Sequence, residues 1–267
     1  TFDGGENWKK ISSEDGIPEG ELGRIGLAQA TNKPNVVYAL IESKKNALFR
    51  SEDGGLKWKK VNENNDIGDR PFYYADIYVD PSNEQRVYTL YSRVAMSEDG
   101  GKSFRVILPY SGVHPDHHAW WIHPTNPNFM IDGNDGGLNI TYDGGVSWRF
   151  AENIPLAQFY HINADNEYPY NVYGGMQDNG SWRGPAYVWQ ESGIRNGVWQ
   201  ELYFGDGFDV VPDPVDSRYG YAMSQGGNVG RYDHKTGFSQ FIQPVHPDGI
   251  ELRYNWNAAI ALNPFNN

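Results

Sequence analysis

One eight-residue phrase recurs four times in this chain, at Thr1–Trp8, Ser51–Trp58, Ser97–Phe104 and Thr141–Trp148. Its common form is Ser/Thr-x-Asp-Gly-Gly-x-x-Trp/Phe. The aspartates Asp3, Asp53, Asp99 and Asp143 stand 50, 46 and 44 residues apart. Self-similarity at that period restricts the chain to a solenoid, an array or a propeller. Locally the phrase reads as a β-hairpin turn. Asp-Gly favours the tight turn because glycine reaches positive φ without steric cost. The aspartate can accept backbone N–H bonds within its own turn. The aromatic that follows can start a strand and pack between sheets. These four aspartates are therefore read as structural and are kept out of the candidate site.

A second repeat interleaves with the first. A short strand runs into a Pro/Asn turn and then into a Val/Tyr-rich strand. Examples are Ile77–Asn83 leading to Val87–Leu90, and Trp121–Pro127 leading to Phe129–Ile131. Val210–Pro214 leads to Tyr219–Ala222, and Ala28–Pro34 to Val36–Tyr38, with a weaker copy from Ile162 to Tyr173. Together the repeats predict all-β, four-stranded antiparallel blades of a β-propeller, at roughly 23–62, 72–108, 117–151, 158–202 and 205–243. Partial blades are expected at 1–11 and 255–267. That makes about six blades, read as a segment of a ring of seven or more that belongs to a larger protein, since an open ring leaves sheet edges bare. The last two full blades lack the phrase and carry Gly174–Trp182 and Gly226–Tyr232 instead.

Composition agrees and narrows the function classes. Aromatics make up 15%, with 31 glycines and 16 prolines, which suits many short strands and tight turns. The formal charge of −12 argues against a nucleic-acid partner, because phosphate-binding surfaces are basic. An acidic, aromatic-rich surface suits a neutral or cationic ligand. The absence of cysteine excludes disulfides and thiolate metal sites. No apolar run is long enough for a membrane-spanning helix.

The phrase resembles the Asp-box, or bacterial neuraminidase repeat, of sialidases, sortilin-type receptors and xyloglucanase-type glycoside hydrolases. In those families it lies on an outer hairpin of each blade, away from the active centre. The stretches His117–Gly137, Gln158–Tyr160, Gly174–Gly180, Gly205–Gly207 and Arg253–Asn257 extend the resemblance to large bacterial proteins of the sortilin-like class, often called glycosyl hydrolases. The resemblance implies a secreted or cell-surface protein, bacterial extracellular or periplasmic. It implies little about activity, since unrelated functions share the fold.

Candidate chemistry falls in the loops of the inner strands, where propellers carry function. Asp135, Asp178, Asp206 and Asp209 are candidate catalytic carboxylates, since glycoside hydrolysis takes two carboxyl groups flanking a bond. Asp135-Gly136-Gly137 resembles the Asp-x-Gly-Gly stretch of xyloglucanase-type enzymes, although its flanks differ. Candidate ligand-binding residues are His117, His118, Trp120, Gln177, Asn179, Arg183, Gln225, Asn228, Trp256 and Asn257. A metal at His114, His117 and His118 with Asp116 is disfavoured, because adjacent strand residues point to opposite faces. No cofactor is expected. A sialidase is disfavoured, because no arginine triad or Arg-Ile-Pro segment is present. The leading expectation is a binding propeller for a polypeptide or glycan at a central channel. The alternatives are a glycoside hydrolase using paired channel aspartates and a structural module of a large secreted protein.

Overall fold

The computed structural model describes residues 1–64, 67–74, 76–154, 156–263 and 265. They form two compact units, Thr1–Glu152 and Asn153–Asn267. Among the described residues no helix is long and apolar enough to cross a membrane.

The first unit holds three sheets. One comprises β1 (Ile25–Gln29), β2 (Val37–Ile41), β3 (Ala47–Ser51) and β4 (Lys59–Asn62). The next comprises β5 (Asp76–Asp80), β6 (Asn83–Leu90), β7 (Val94–Ser97) and β8 (Arg105–Leu108). The third comprises β9 (His117–Ile122), β10 (Met130–Asn134), β11 (Gly137–Thr141) and β12 (Arg149–Phe150). The second unit holds two sheets. These are β13 (His161–Ala164), β14 (Asn171–Met176), β15 (Gly180–Pro185) and β16 (Gln200–Tyr203), then β17 (Val210–Pro212), β18 (Tyr219–Ser224), β19 (Asn228–Asp233) and β20 (Phe238–Phe241). In every sheet the strands are antiparallel and lie side by side in chain order. These are the four-stranded meanders of β-propeller blades.

Consecutive sheets within a unit pack face to face through alternate side chains. Tyr38, Leu40 and Leu48 of the first sheet meet Ile77 and Val87 of the second. Tyr88, Leu90 and Met96 of the second meet Trp120 and Met130 of the third. In the second unit Tyr173 and Leu202 meet Val210, Ala222 and Tyr232. A tyrosine–arginine pair recurs across the central strands. Tyr38 faces Arg50, and Tyr173 faces Arg183. Each guanidinium donates to the phenol oxygen, at 3.1 Å in both cases.

The repeated phrase joins the third strand of a blade to the fourth, from β3 to β4, β7 to β8 and β11 to β12. In the last copy Thr141 Oγ1 donates to Asp143 Oδ1 at 2.8 Å and accepts the Gly145 N–H at 3.0 Å. Asp143 Oδ1 accepts the N–H groups of Val146 and Ser147 at 3.0 and 2.9 Å. The first glycine of each copy has φ between 71° and 77°, and the second between 86° and 102°. The first glycine's N–H reaches the turn that joins the blade's first two strands or the start of the second strand. Gly54 donates to Asn35, Gly100 to Gln85 and Gly144 to Asn128. The phrase therefore closes its own hairpin and pins it to the neighbouring turn. Residues 1–11 repeat the turn's bonds but form no strand. Residues 255–263, part of the partial blade expected at the end, form no strand either. Residues 264, 266 and 267 of that expected partial blade lie outside the described residues.

These carboxylates couple the fold to pH. The Ser147 hydroxyl, then the Ser147 N–H and the Thr141 hydroxyl, hold Asp143 at about 2, below its ordinary 3.8. A depressed folded-state value stabilises the fold above the unfolded value, and the contribution disappears as pH falls through the folded one. Asp143→Asn is therefore expected to lower the thermal midpoint at pH 6. The gap to wild type should close between about pH 4 and pH 2. Midpoints followed by circular dichroism across that range check this.

Candidate functional site

In the first unit the candidate residues separate into an interior set and a surface set. His117 opens β9 and is 1% exposed. Its Nδ1 lies 2.8 and 2.9 Å from the two oxygens of Asp132, which is itself fully buried. Asp132 also accepts from Asn134 Nδ2 at 2.9 Å. A buried carboxylate needs such donors, and this knot ties β9 to β10. His117 thus faces inward and is not available to a surface ligand.

Trp120 is likewise interior, at 6% exposure, with ring centroids 5.3 Å from Tyr88 and 5.6 Å from Trp148. The ligand-binding role expected of Trp120 is corrected here. Of the Trp120–Trp121 pair it is Trp121 that points outward, at 44% exposure. Strand alternation sends successive side chains to opposite faces, and the face of Trp120 is the one covered by the second sheet.

His118 projects opposite to His117. Its Nε2 lies 3.4 Å from Asp135 Oδ1, and its ring stacks on Tyr74 at 5.6 Å. The Tyr74 hydroxyl donates to Asp116, and burial together with this bond raises the phenol's pKa. His114 Nδ1 turns to the carbonyl of Pro115 at 3.0 Å. His117 and His118 therefore do not converge on one point.

The second unit brings a larger set together. Here the β14–β15 turn, the loop before β17, the β18–β19 turn and the segment around Trp256 meet. Asp206 is 5% exposed and sits at the centre. Its Oδ1 accepts the Asp178 N–H at 2.9 Å, and its own N–H donates to Gln225 Oε1 at 2.8 Å. The Asp178 carboxyl and the Trp256 side chain lie close to it. Burial, reinforced by the neighbouring Asp178 carboxyl, raises the Asp206 pKa above its ordinary value. Two carboxyls held this close disfavour each other's ionised form. Asp178 takes φ of +57°, a conformation that Asp tolerates better than most residues.

The remaining polar candidates brace these turns. Asn179 Nδ2 donates to the Gln177 carbonyl at 2.8 Å, and Asn228 Nδ2 to the Gln225 carbonyl at 2.7 Å. Gln177 Oε1 accepts the Tyr160 hydroxyl at 2.5 Å. Arg183, expected to bind ligand, instead reaches Tyr173, whose hydroxyl donates to Asp165 at 2.8 Å. Trp256 differs from all of these. Its carbonyl accepts the Gly226 N–H at 3.0 Å and its side chain lies beside the Asp206 carboxyl, yet the residue is 63% exposed. Asn257 beside it is exposed as well.

The sequence reading missed His161. Its Nδ1 lies 2.7 Å from Asp209 Oδ1, and its side chain is 47% exposed. The carboxylate orients the ring, and Nε2 has no hydrogen-bond partner among the described residues. No local signal marks this dyad, because its members are 48 residues apart.

No family model matches the chain, and no curated protein matches it in sequence. Among solved structures, a GH74 enzyme from Niastella koreensis is 15% identical with a TM-score of 0.39, over 81% of this chain and 37% of that one. This chain thus spans little more than a third of that enzyme's length. YCF48 from Cyanidioschyzon merolae is 13% identical with a TM-score of 0.37, over 86% of both chains. YCF48 bound to D1 peptide is 11% identical with a TM-score of 0.38, over 84% of this chain and 68% of that one. Likenesses this distant leave function to be argued from the chain's own residues.

Proposed function

We propose that this chain is a ligand-binding β-propeller module that holds a polypeptide or a glycan on the exposed face of Trp256. The observation that carries the reading is how that indole is held. Its side chain lies beside the buried Asp206 carboxyl and its backbone is bonded to the β18–β19 turn, while 63% of the residue stays open. A ring held by its backbone in this way needs little further ordering when a sugar or a peptide side chain stacks on it. Phe204 and Tyr160, 75% and 44% exposed, add aromatic surface within the same unit.

The hydrolase alternative loses one of its carboxyl pairs. Carboxyl groups that flank a glycosidic bond stand about 5–9.5 Å apart. Asp178 and Asp206 lie close enough that each disfavours ionisation of the other, too close to flank a bond.

The test is titration calorimetry of the chain against neutral oligosaccharides and short peptides. Trp256→Ala should weaken binding by about tenfold or more, the scale of an aromatic anchor. Unchanged affinity in a folded Trp256→Ala variant sinks the reading. Release of new reducing ends from any oligosaccharide would favour the hydrolase instead.

A further inference from the structure

Beside Trp256 the second unit carries a cleft of about 770 Å³. Its walls are the segment from Gln243 to Tyr254 and the β18–β19 turn at Gly226. Gly226 belongs to both features, since its N–H donates to the Trp256 carbonyl and its carbonyl accepts Gln243 Nε2 at 3.1 Å. The platform and the cleft therefore share a wall.

The lining has a composition of its own. Pro244, Val245, Ile250 and Leu252 contribute aliphatic surface beside Gln243, His246, Glu251 and Tyr254, and Val245, Ile250 and Leu252 stay exposed at 86%, 60% and 38%. Arg253 contributes a guanidinium that makes no ion pair or hydrogen bond among the described residues. Three other arginines of the unit are engaged. Arg183 donates to Tyr173, Arg218 to Asp233 at 2.9 and 2.7 Å, and Arg231 lies over the Tyr219 ring.

A neutral glycan has no carboxylate for an unengaged arginine, and its rim hydroxyls would be unsatisfied against Val245, Ile250 and Leu252. A polypeptide instead supplies aliphatic side chains for such walls and carboxylates for an unengaged arginine. From this complementarity we propose that the cleft takes a polypeptide segment in which an aliphatic side chain is followed by a carboxylate, the first against Val245, Ile250 and Leu252 and the second on Arg253. The inference rests on the reading of Trp256 as a ligand platform and selects the polypeptide from its two ligand classes.

The experiment titrates the whole chain with synthetic peptides Gly-Gly-Leu-Glu-Gly-Gly, Gly-Gly-Leu-Gln-Gly-Gly and Gly-Gly-Leu-Lys-Gly-Gly, and separately with neutral cello-oligosaccharides. The Leu-Glu peptide should bind most tightly. Arg253→Gln should weaken it about two- to fivefold, the range of an exposed ion pair. Arg253→Glu should invert the order in favour of the Leu-Lys peptide, a reversal that loss of folding cannot produce. Equal binding of the three peptides, or an order unchanged in Arg253→Glu, overturns the cleft assignment. Oligosaccharide binding that depends on Trp256 with no peptide binding leaves the platform standing and overturns the cleft. Peptide binding that depends on Arg253 but not on Trp256 upholds the cleft and overturns the platform. Binding of neither ligand overturns both.

Discussion

Gly175→Ala is expected to prevent stable folding of the second unit. Gly175 lies buried on β14, directly under the loop that precedes β17. An added Cβ would lie 2.2 Å from the Gly207 carbonyl carbon, 2.4 Å from the Phe208 nitrogen and 2.5 Å from the Gly207 oxygen. All three are backbone atoms, so no rotamer change relieves the overlap. The loop itself is held down on both sides. Gly207 N–H donates to Met176 at 2.8 Å, and Phe208 N–H to Met223 at 3.0 Å. Lifting it would break these bonds and pull Asp206 away from the Asp178 N–H and from Gln225. A forced overlap combined with a broken buried network belongs to the exceptional class of substitutions, costing about 4–5 kcal/mol or more. Gly197, whose added Cβ would meet nothing within 4 Å, is the control. Urea unfolding followed by tryptophan fluorescence should show Gly197→Ala close to wild type and Gly175→Ala without a cooperative transition for the second unit. Equal midpoints for the two variants would refute the contact.

Asp132→Ala should be the most damaging single polar deletion in the first unit. The carboxylate is fully buried, and both of its oxygens face His117 Nδ1. Asn134 Nδ2 donates to it at 2.9 Å, with Asn139 Nδ2 at 3.5 Å. Alanine would strand an imidazole that is 1% exposed and the Asn134 amide without their carboxylate acceptor. Breaking a buried pair of this kind costs about 3–5 kcal/mol. Asp132→Asn keeps one carbonyl acceptor for His117 but turns an amide donor toward Asn134, so its loss should be smaller, about 1–3 kcal/mol. Guanidinium unfolding of the three proteins measures both values. A loss below about 1 kcal/mol for the alanine variant would mean that the knot contributes little beyond geometry. Whether or not His117 bears on ligand binding, the destabilisation is expected without any ligand present.

Both sites show where sequence reasoning stops. The turn aspartates were legible because their partners are local. Asp143 bonds residues three and four positions ahead, and the glycines that permit this stand beside it in the sequence. The strand-turn-strand periodicity was legible for the same reason, since a meander pairs neighbours in the chain. The inner aspartates look no different in one dimension. Asp132 finds His117 across a ladder, Asp206 finds Asp178 from the adjoining sheet, and Asp209 finds His161 at a distance of 48 residues. Whether such a carboxylate becomes a knot, one of a close carboxyl pair or an orienting partner depends on what the packing places against it.

The two tryptophans of β9 make the same division. Alternation shows from sequence that Trp120 and Trp121 face opposite ways. Only the packed second sheet decides that Trp120 is the buried one. By itself, then, the sequence determined the repeat, the hairpin chemistry and the all-β blade architecture, because each depends on residues within one meander. The tertiary structure decided which candidates are interior, which carboxyls touch, and that Trp256 is tethered yet open. Those outcomes are set by desolvation and by contacts between sheets, which act between residues far apart in the chain.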